Sequence, residues 1–473
     1  APKTEELDTE IRTHIVGGRT QVFGAPGPIP PGDYAFLDVA SLYPTVCSCE
    51  PPALEAMKAY PTFGAYPYGA EASDPEAVTK YTPGDVGLYS ITLISQPLPA
   101  IVPYRVEGHP HDWANPGPFA AKVTSAELEC LAVHGGRFEV LKGYRWPKTK
   151  VGYFAPFFLP LMAEKDNQDR LAKAGDPAFN PGIRATCKLL ANSATGKTPQ
   201  RVFDDVNVLC RTANDQAAAL IKCDTNDPPT CTPFDNGYTL ITGKREPGTF
   251  YKQGRASPSY LAAFIYAYAR TYSYATMLRH GALYGDTDSA LVTRATADAI
   301  RLKFPGLFAT GRAKRLGDLD DEAEGLKTVG GWLVRAKEYA IKYEYPPGDK
   351  RAADKHFGAV VGGYLYKIRI KGVHSIDTVL APGVELPEEL TELAAIHDPF
   401  GAAQADIAAG YGVRLCDDPE AYYGPRSRGE SVRVLSSQIK RSYKTTGVGF
   451  ELSQRYIVKE MTDAAEADPD QAD

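Results

Sequence analysis

Ala282-Leu-Tyr-Gly-Asp-Thr-Asp-Ser-Ala-Leu-Val292 places two short apolar runs on either side of a turn, with carboxylates at Asp286 and Asp288. The pattern predicts a strand hairpin. On extended chain, residues two apart project to the same side, and crowded carboxylates repel unless a cation sits between them. A solvated turn also accepts this pattern, but the apolar flanks favour a partly buried pair. Just upstream, Ser257-Pro258 and the run SYLAAFIYAYARTYSYATMLRHG predict a long helix, capped at its start and closed by Gly281. Farther upstream, Tyr34-Ala-Phe-Leu-Asp38 reads as a half-buried strand ending on an acid, continued by Val39-Ala-Ser-Leu-Tyr-Pro44. Such an aspartate either holds a metal ion at a sheet rim or caps the next turn.

A third stretch, Lys188-Leu-Leu-Ala-Asn-Ser-Ala-Thr-Gly-Lys-Thr198, ends like a phosphate-cradling loop. That loop needs a glycine where Ala191 stands, and it needs a strand before it. Here Asn180-Pro181 supplies a helix cap and first-turn proline instead. An earlier helix over 157–174 stops at Gly175-Asp176-Pro177, so the two form a helical hairpin. Arg184, Lys188 and Asn192 are spaced i, i+4, i+8, with Thr195 close behind, and are expected on one face. That cationic face suits a triphosphate, or is simply solvated.

The 473 residues exceed one compact core, so several domains are expected. A composition of 43% hydrophobic and 23% charged residues is that of a globular chain, and no apolar run is long enough to span a bilayer. The polar, acidic first residues carry no secretory signal, and none of the eight cysteines forms a C-x-x-C pair. An intracellular protein with reduced thiols and no membrane partner is expected. The net charge of -6 excludes a uniformly basic coat but not a local basic groove. One candidate is the run from Arg426 to Lys459, where Arg428, Arg433, Lys440, Arg441, Lys444 and Arg455 outnumber Glu430 and Glu451. Residues 24–33 read as a Pro/Gly-rich connector, 202–255 as short strands, and the acidic C-terminal tail as disordered.

In this order, the three motifs resemble those of the family B DNA polymerases: D-x-x-S-L-Y-P at Asp38–Pro44, K-x-x-x-N-S-x-Y-G at Lys188–Gly196, and Y-x-D-T-D-S at Tyr284–Ser289. Two further stretches are similar to the protein-primed subgroup of viruses and linear plasmids. They are Val16-Gly-Gly-Arg-Thr20, with Ile15 where the subgroup has a tyrosine, and Arg335-Ala-Lys-Glu-Tyr339, matching its K-x-Y motif. Thr195 stands where the second motif has tyrosine.

The resemblance implies an α+β right-hand architecture. Its palm, an antiparallel sheet with helices, would take 1–50 and 200–330, with a second insertion near 203–255. Residues 51–155 would be the subgroup's insertion, 156–199 the helical-hairpin fingers, and 331–473 the thumb and tail. It implies DNA-directed DNA polymerase activity with two Mg²⁺ ions, or Mn²⁺ in their place, held by Asp38, Asp288 and the Val39 backbone, with Asp286 auxiliary. The incoming dNTP would meet Lys188, Arg184, Asn192, Ser41, Leu42 and Tyr43, the last selecting deoxyribose, with Lys165, Arg170 or Lys173 from the first fingers helix. Thr195 would face the nascent base pair. Gly17, Gly18, Thr287, Lys337 and Tyr339 would contact a DNA primer-template. A priming terminal protein is an implied partner.

Only 37 residues precede Asp38, where the family's exonuclease normally lies, so the expectation is either a polymerase core cut from a longer protein or an exonuclease that is missing or in a separate chain. Asp8-Thr-Glu10 mimics that domain's signature on what reads as an exposed stretch. The alternatives are a nucleic-acid-binding structural protein derived from such a core, and a primer-independent polymerase or primase.

Overall fold

The hairpin forms as expected: Tyr284–Asp286 pairs antiparallel with Ser289–Thr293. In the computed structural model it lies inside a five-stranded antiparallel sheet. The order is Thr20–Val22, Tyr284–Asp286, Ser289–Thr293, Tyr34–Val39, Leu319–Asp321. The structure describes residues 2–105, 111–113, 116–200, 205–234, 237–244, 257–309, 314–353, 359–374, 377–386, 394–395, 411–442 and 451–462, with backbone alone for 205, 353, 359, 394–395, 437–442 and 451–457.

Strand alternation sorts the side chains of this sheet. Ala35, Leu37, Val39, Ala290 and Val292 enter a core shared with the helices. Tyr34, Phe36, Tyr284 and Leu291 enter a second core built with Tyr339, Ile341, Tyr343 and Leu365. Those last residues belong to another five-stranded sheet, ordered Ala359–Val361, Tyr364–Arg369, Glu338–Glu344, Thr328–Arg335, Gly27–Pro28. On its far side Ala340, Tyr366 and Ile368 pack with Tyr422 and Tyr423 of the helix Glu420–Ser427. The strand Glu338–Glu344 is therefore buried on both faces. The strand Thr328–Arg335 runs across the boundary expected between 330 and 331.

The long helix, Ser259–Thr276, is apolar all round, as a core helix must be; all but Tyr266 of its 18 residues are buried. Its buried tyrosines find acceptors, Tyr268 on the Ala65 carbonyl and Tyr272 on that of Gly317, both at 2.8 Å. The expected cap at its start does not form. Ser257 instead donates to the Gln200 carbonyl at 2.9 Å, while the Ser259 hydroxyl donates to Asp8. The N-terminal stretch is only partly exposed: Glu5, Glu6 and Thr9 are open while Asp8 is not. It forms the helix Glu5–Arg12, whose Asp8 is buried and bridged to Arg12 at 2.6 Å.

The helical hairpin comprises Ala155–Ala174, ending at left-handed Gly175, and Pro181–Lys197, with the Asn180 side chain accepting from Gly182 and Ile183. Asp169 bridges across to Arg184 on the other helix at 2.5 Å and, within its own helix, to Lys165 at 3.0 Å. Residues 205–244 form a small three-stranded sheet with a core of Val206, Cys210, Ala219, Cys223 and Ile241. A four-stranded sheet and the helix Ser125–Val133 fill much of 76–145.

In the C-terminal basic run the cations whose side chains are described are each engaged. Arg426 is buried against Glu338 at 3.0 Å, Arg428 pairs with Glu430, Arg433 donates to the Val384 carbonyl, and Lys459 to that of Gly372. Lys444, the side chains of Lys440, Arg441 and Arg455, and the tail from 463 lie outside the described residues.

Glu338, 1% exposed, also accepts from Tyr422 at 2.9 Å and from Arg335 at 2.5 Å. Removing one partner of a buried ion pair costs more than the pair itself contributes. Arg426→Met should lower stability by about 3 kcal/mol in urea unfolding, and adding Glu338→Gln should recover part of the loss. An unchanged midpoint would show that the bridge carries no stability.

Candidate active site

Asp38 ends its strand with Ser289 beside it on one side and Asp320 on the other. Asp288 sits in the turn of the hairpin, its N–H donating to the Asp286 carbonyl at 2.6 Å. The Asp288 carbonyl accepts from Val39 at 2.7 Å, which latches the turn to the residue after Asp38. Thr287 is left-handed, with φ 57. The Thr287 N–H donates to the Arg19 carbonyl at 2.7 Å, and its carbonyl accepts from Ser273 of the long helix at 2.9 Å. Thr20 donates to Asp286 at 2.9 Å. Gly18 presses on the Thr287 side chain so closely that a Cβ there would lie 2.7 Å from its hydroxyl. Arg270 on the long helix donates to the carbonyls of Val16 and Gly17. The Gly-Gly stretch and the acidic turn are thus one packed unit.

The electrostatics follow from this packing. Burial pushes the Asp38 carboxyl up to about 8, with Asp288 and then Glu322 adding to it. Burial likewise pushes Asp288 up to about 6, opposed by its own backbone N–H and reinforced by Asp286 and Glu322. Desolvation and like charge both disfavour the ionised pair, so the site favours a cation. Among the described residues no group of three or more acid, histidine or cysteine side chains forms a metal cage.

The family model for DNA polymerase type B, organellar and viral, matches residues 2–279, more than half of the chain. The chain belongs to this family. Uncharacterized protein 075R of Invertebrate iridescent virus 3 is 28% identical over 164 residues, 32% of this chain and 88% of the relative. Phi29 DNA polymerase in an orthorhombic crystal form superposes with a TM-score of 0.50 at 17% identity, over 79% of this chain and 56% of that one. Its ternary complex with primer-template DNA and incoming nucleotides gives 0.49 at 17% identity, over 84% and 60%. The right-hand polymerase fold is shared. This chain spans less than two thirds of the length of those solved structures.

In this type B polymerase chain the remaining expected residues fall into three groups. Some reach the acidic turn. The Lys337 amine pairs with Asp286 at 2.9 Å, from a left-handed turn position with φ 59. Tyr43 is half-buried, edge-on to Tyr266 at 5.7 Å, and its phenol is pushed up to about 12 by burial, with the Asp288 charge among the lesser causes. Others are structural. Leu42 and Tyr339 are core residues, 2% and 3% exposed, and the Tyr339 ring lies tilted 4.8 Å from that of Tyr284. Left-handed Ser41 starts the helix Leu42–Ser48. The third group lies on the hairpin helix Pro181–Lys197, where Lys188 and Asn192 are exposed.

The structure corrects two expectations for that helix. Thr195, two turns beyond Lys188 on the helix, is buried where Lys188 and Asn192 are exposed. It continues the buried stripe Cys187, Ala191, Thr195, and its hydroxyl returns to the Asn192 carbonyl at 3.0 Å. Arg184 is tied to Asp169, whereas Lys188 makes no hydrogen bond or ion pair among the described residues.

Sequence reasoning missed Glu322, Lys367 and Lys314. Lys367, 2% exposed, holds Glu322 at 2.6 Å and lies over the Phe36 ring at 4.5 Å. Lys314 pairs with Asp320 at 2.8 Å, and both lysines draw the Asp38 carboxyl back down. The acidic run Leu319-Asp-Asp-Glu322 was the available signal.

A carboxyl raised on folding supplies stability that is full below its unfolded value and is lost as pH rises through the folded one. In metal-free buffer Asp38→Asn should therefore melt higher than the unmodified chain above pH about 8, with the gain vanishing as pH falls toward 3.8. A melting difference that does not vary with pH would refute the crowded-carboxylate description.

Proposed function

We propose that this chain is a template-directed DNA polymerase that adds dNTPs to a primer 3′-hydroxyl. The observation that carries the reading is the pairing of Asp38 and Asp288. Two acids from motifs 250 positions apart are latched together at one sheet end, where burial and mutual repulsion favour a cation.

Asp38, Asp288 and the Val39 carbonyl are the groups that would hold two Mg²⁺ ions. When bound, those ions supply Lewis acidity toward the 3′-hydroxyl and the triphosphate. The reaction is in-line attack of the 3′-oxygen on the α-phosphorus, with pyrophosphate leaving. The chain's own side chains position the reactants. Lys188 and Asn192 offer the triphosphate an open cationic face, and Arg184 joins them on release from Asp169. The Tyr43 ring fills the space that a 2′-hydroxyl would need. Lys337, at the turn beside Asp286, meets the primer end.

In this reading the hairpin of Ala155–Ala174 and Pro181–Lys197 is the fingers, and the sheets beyond Thr328 lead into the thumb. The Gly17-Gly18 stretch and the insertion over 51–155 favour protein-primed replication of a viral or plasmid genome, with a terminal protein as partner.

Primer extension with Mg²⁺ and dNTPs, with and without a primer, tests the reading. Asp38→Asn and Asp288→Asn should each cut extension by on the order of 10³-fold, the scale of a lost electrostatic contact in the transition state, while DNA binding persists. Near-normal extension by either variant would overturn the assignment. Tyr43→Val should raise the use of ribonucleotides relative to deoxynucleotides by about tenfold, the lower range of shape exclusion. An unmoved ratio would make Tyr43 a packing residue.

A further inference from the structure

Around the end of the strand Tyr34–Val39 stand five carboxylates, Asp38, Asp286, Asp288, Asp320 and Glu322, and they are not equivalent. Asp286 pairs with Lys337 at 2.9 Å, Asp320 with Lys314 at 2.8 Å and Glu322 with Lys367 at 2.6 Å. Among the described residues Asp38 and Asp288 have no ion-pair partner. Two of the three lysines can turn away into water, because the side chains of Lys337 and Lys314 are 54% and 43% exposed. Lys367 cannot, being 2% exposed. It stands opposite Ile341 and two residues after Leu365, on the face that enters the second core. Its ammonium lies 4.5 Å from the ring centre of Phe36, which shares a strand face with Asp38. The Glu322 N–H donates to the Phe36 carbonyl at 3.0 Å, continuing the pairing that sets Asp320 opposite Asp38. The Glu322 charge also bears on both Asp38 and Asp288. An apolar residue would fill this core position without burying an ammonium, so packing does not account for the lysine.

We propose that Lys367 is a resident counter-ion that withholds Glu322 from the metal centre, so that the empty chain presents divalent ions with Asp38 and Asp288 alone. Drawing Glu322 toward a metal would strip a buried ammonium of its 2.6 Å carboxylate contact, and a buried charge deprived of a partner is strongly unfavourable. An exposed lysine would be displaced at little cost. The empty chain therefore holds divalent ions weakly until a triphosphate brings its own oxygens. Lys367 is a positioning residue, acting through Glu322, and the inference rests on the polymerase reading.

The test titrates Mn²⁺ into the full chain, without nucleotide or DNA, and follows free Mn²⁺ by electron paramagnetic resonance. Lys367→Met should tighten binding about tenfold, the lower end of the effect of groups that support a metal ligand. Adding Glu322→Asp keeps the charge of that variant but draws the carboxylate back by one methylene, and should remove most of the gain. Lys367→Met with Glu322→Gln removes both charges and should bind within about twofold of the unmodified chain. No gain in Lys367→Met overturns the proposal. So does a gain that survives Glu322→Asp, which makes it an effect of charge alone. So does a tenfold loss in the chain lacking both charges, which makes Glu322 a ligand already. Should Lys367→Met fail to fold, that doubly substituted chain decides, because it leaves neither charge buried. A chain that extends no primer yet gains Mn²⁺ affinity in Lys367→Met refutes the polymerase reading alone. A chain that extends primers and gains none refutes the role of Lys367 alone.

Discussion

Everything at the centre of this molecule depends on holding two carboxylates together away from water, an arrangement that opposes folding. The backbone bond from Val39 to the Asp288 carbonyl fixes their spacing. Because that bond uses no side chain, both acids stay available. The surroundings are arranged to keep the turn in place: Gly18 beneath Thr287, Ser273 from the long helix, and the Arg19 carbonyl. The long helix explains itself in this light. A helix buried on nearly every side is rigid, and it carries both Ser273 and Arg270, the two residues that grip the turn and the Gly-Gly stretch.

Several cations near the acidic turn and on the hairpin are already engaged. Lys337 is on Asp286, Lys367 on Glu322, Lys314 on Asp320, and Lys165 and Arg184 on Asp169. These pairs keep a strongly acidic neighbourhood foldable. The Asp169 bridge also ties the two hairpin helices to each other, so the charge pattern there serves packing as well as recognition.

Much of this was legible in the sequence. Period-two alternation and the carboxylate turn gave the hairpin at 284–293, and Asn180-Pro181 and Gly175 gave the ends of the hairpin helices. The motif order gave the family. What stayed illegible was what tertiary contacts decide. Whether Thr195 is left open beside Lys188 and Asn192 depends on which stripe the core covers, and the core took Cys187, Ala191 and Thr195. Ser257 turns to the Gln200 carbonyl instead of capping its helix, and Asp8 is buried because the Ser259 hydroxyl, far away in sequence, donates to it. The basic C-terminal run looked like one surface because composition does not show that Arg426 turns inward to Glu338. Glu322 went unnoticed because a run of acids carries no geometry until its strand is paired.

The pairing of Thr20–Val22 with Tyr284–Asp286 has a consequence for synthesis. Thr20 and Asp286 are 266 positions apart, so the first strand leaves the ribosome long before its partner exists. At translation rates of about 5–20 residues per second, that wait is roughly ten seconds to a minute. Gly27–Pro28 waits still longer for the strand Thr328–Arg335. The nascent chain must keep these short edges from pairing elsewhere during that interval. Their brevity helps: three residues and two residues offer little template for a wrong partner.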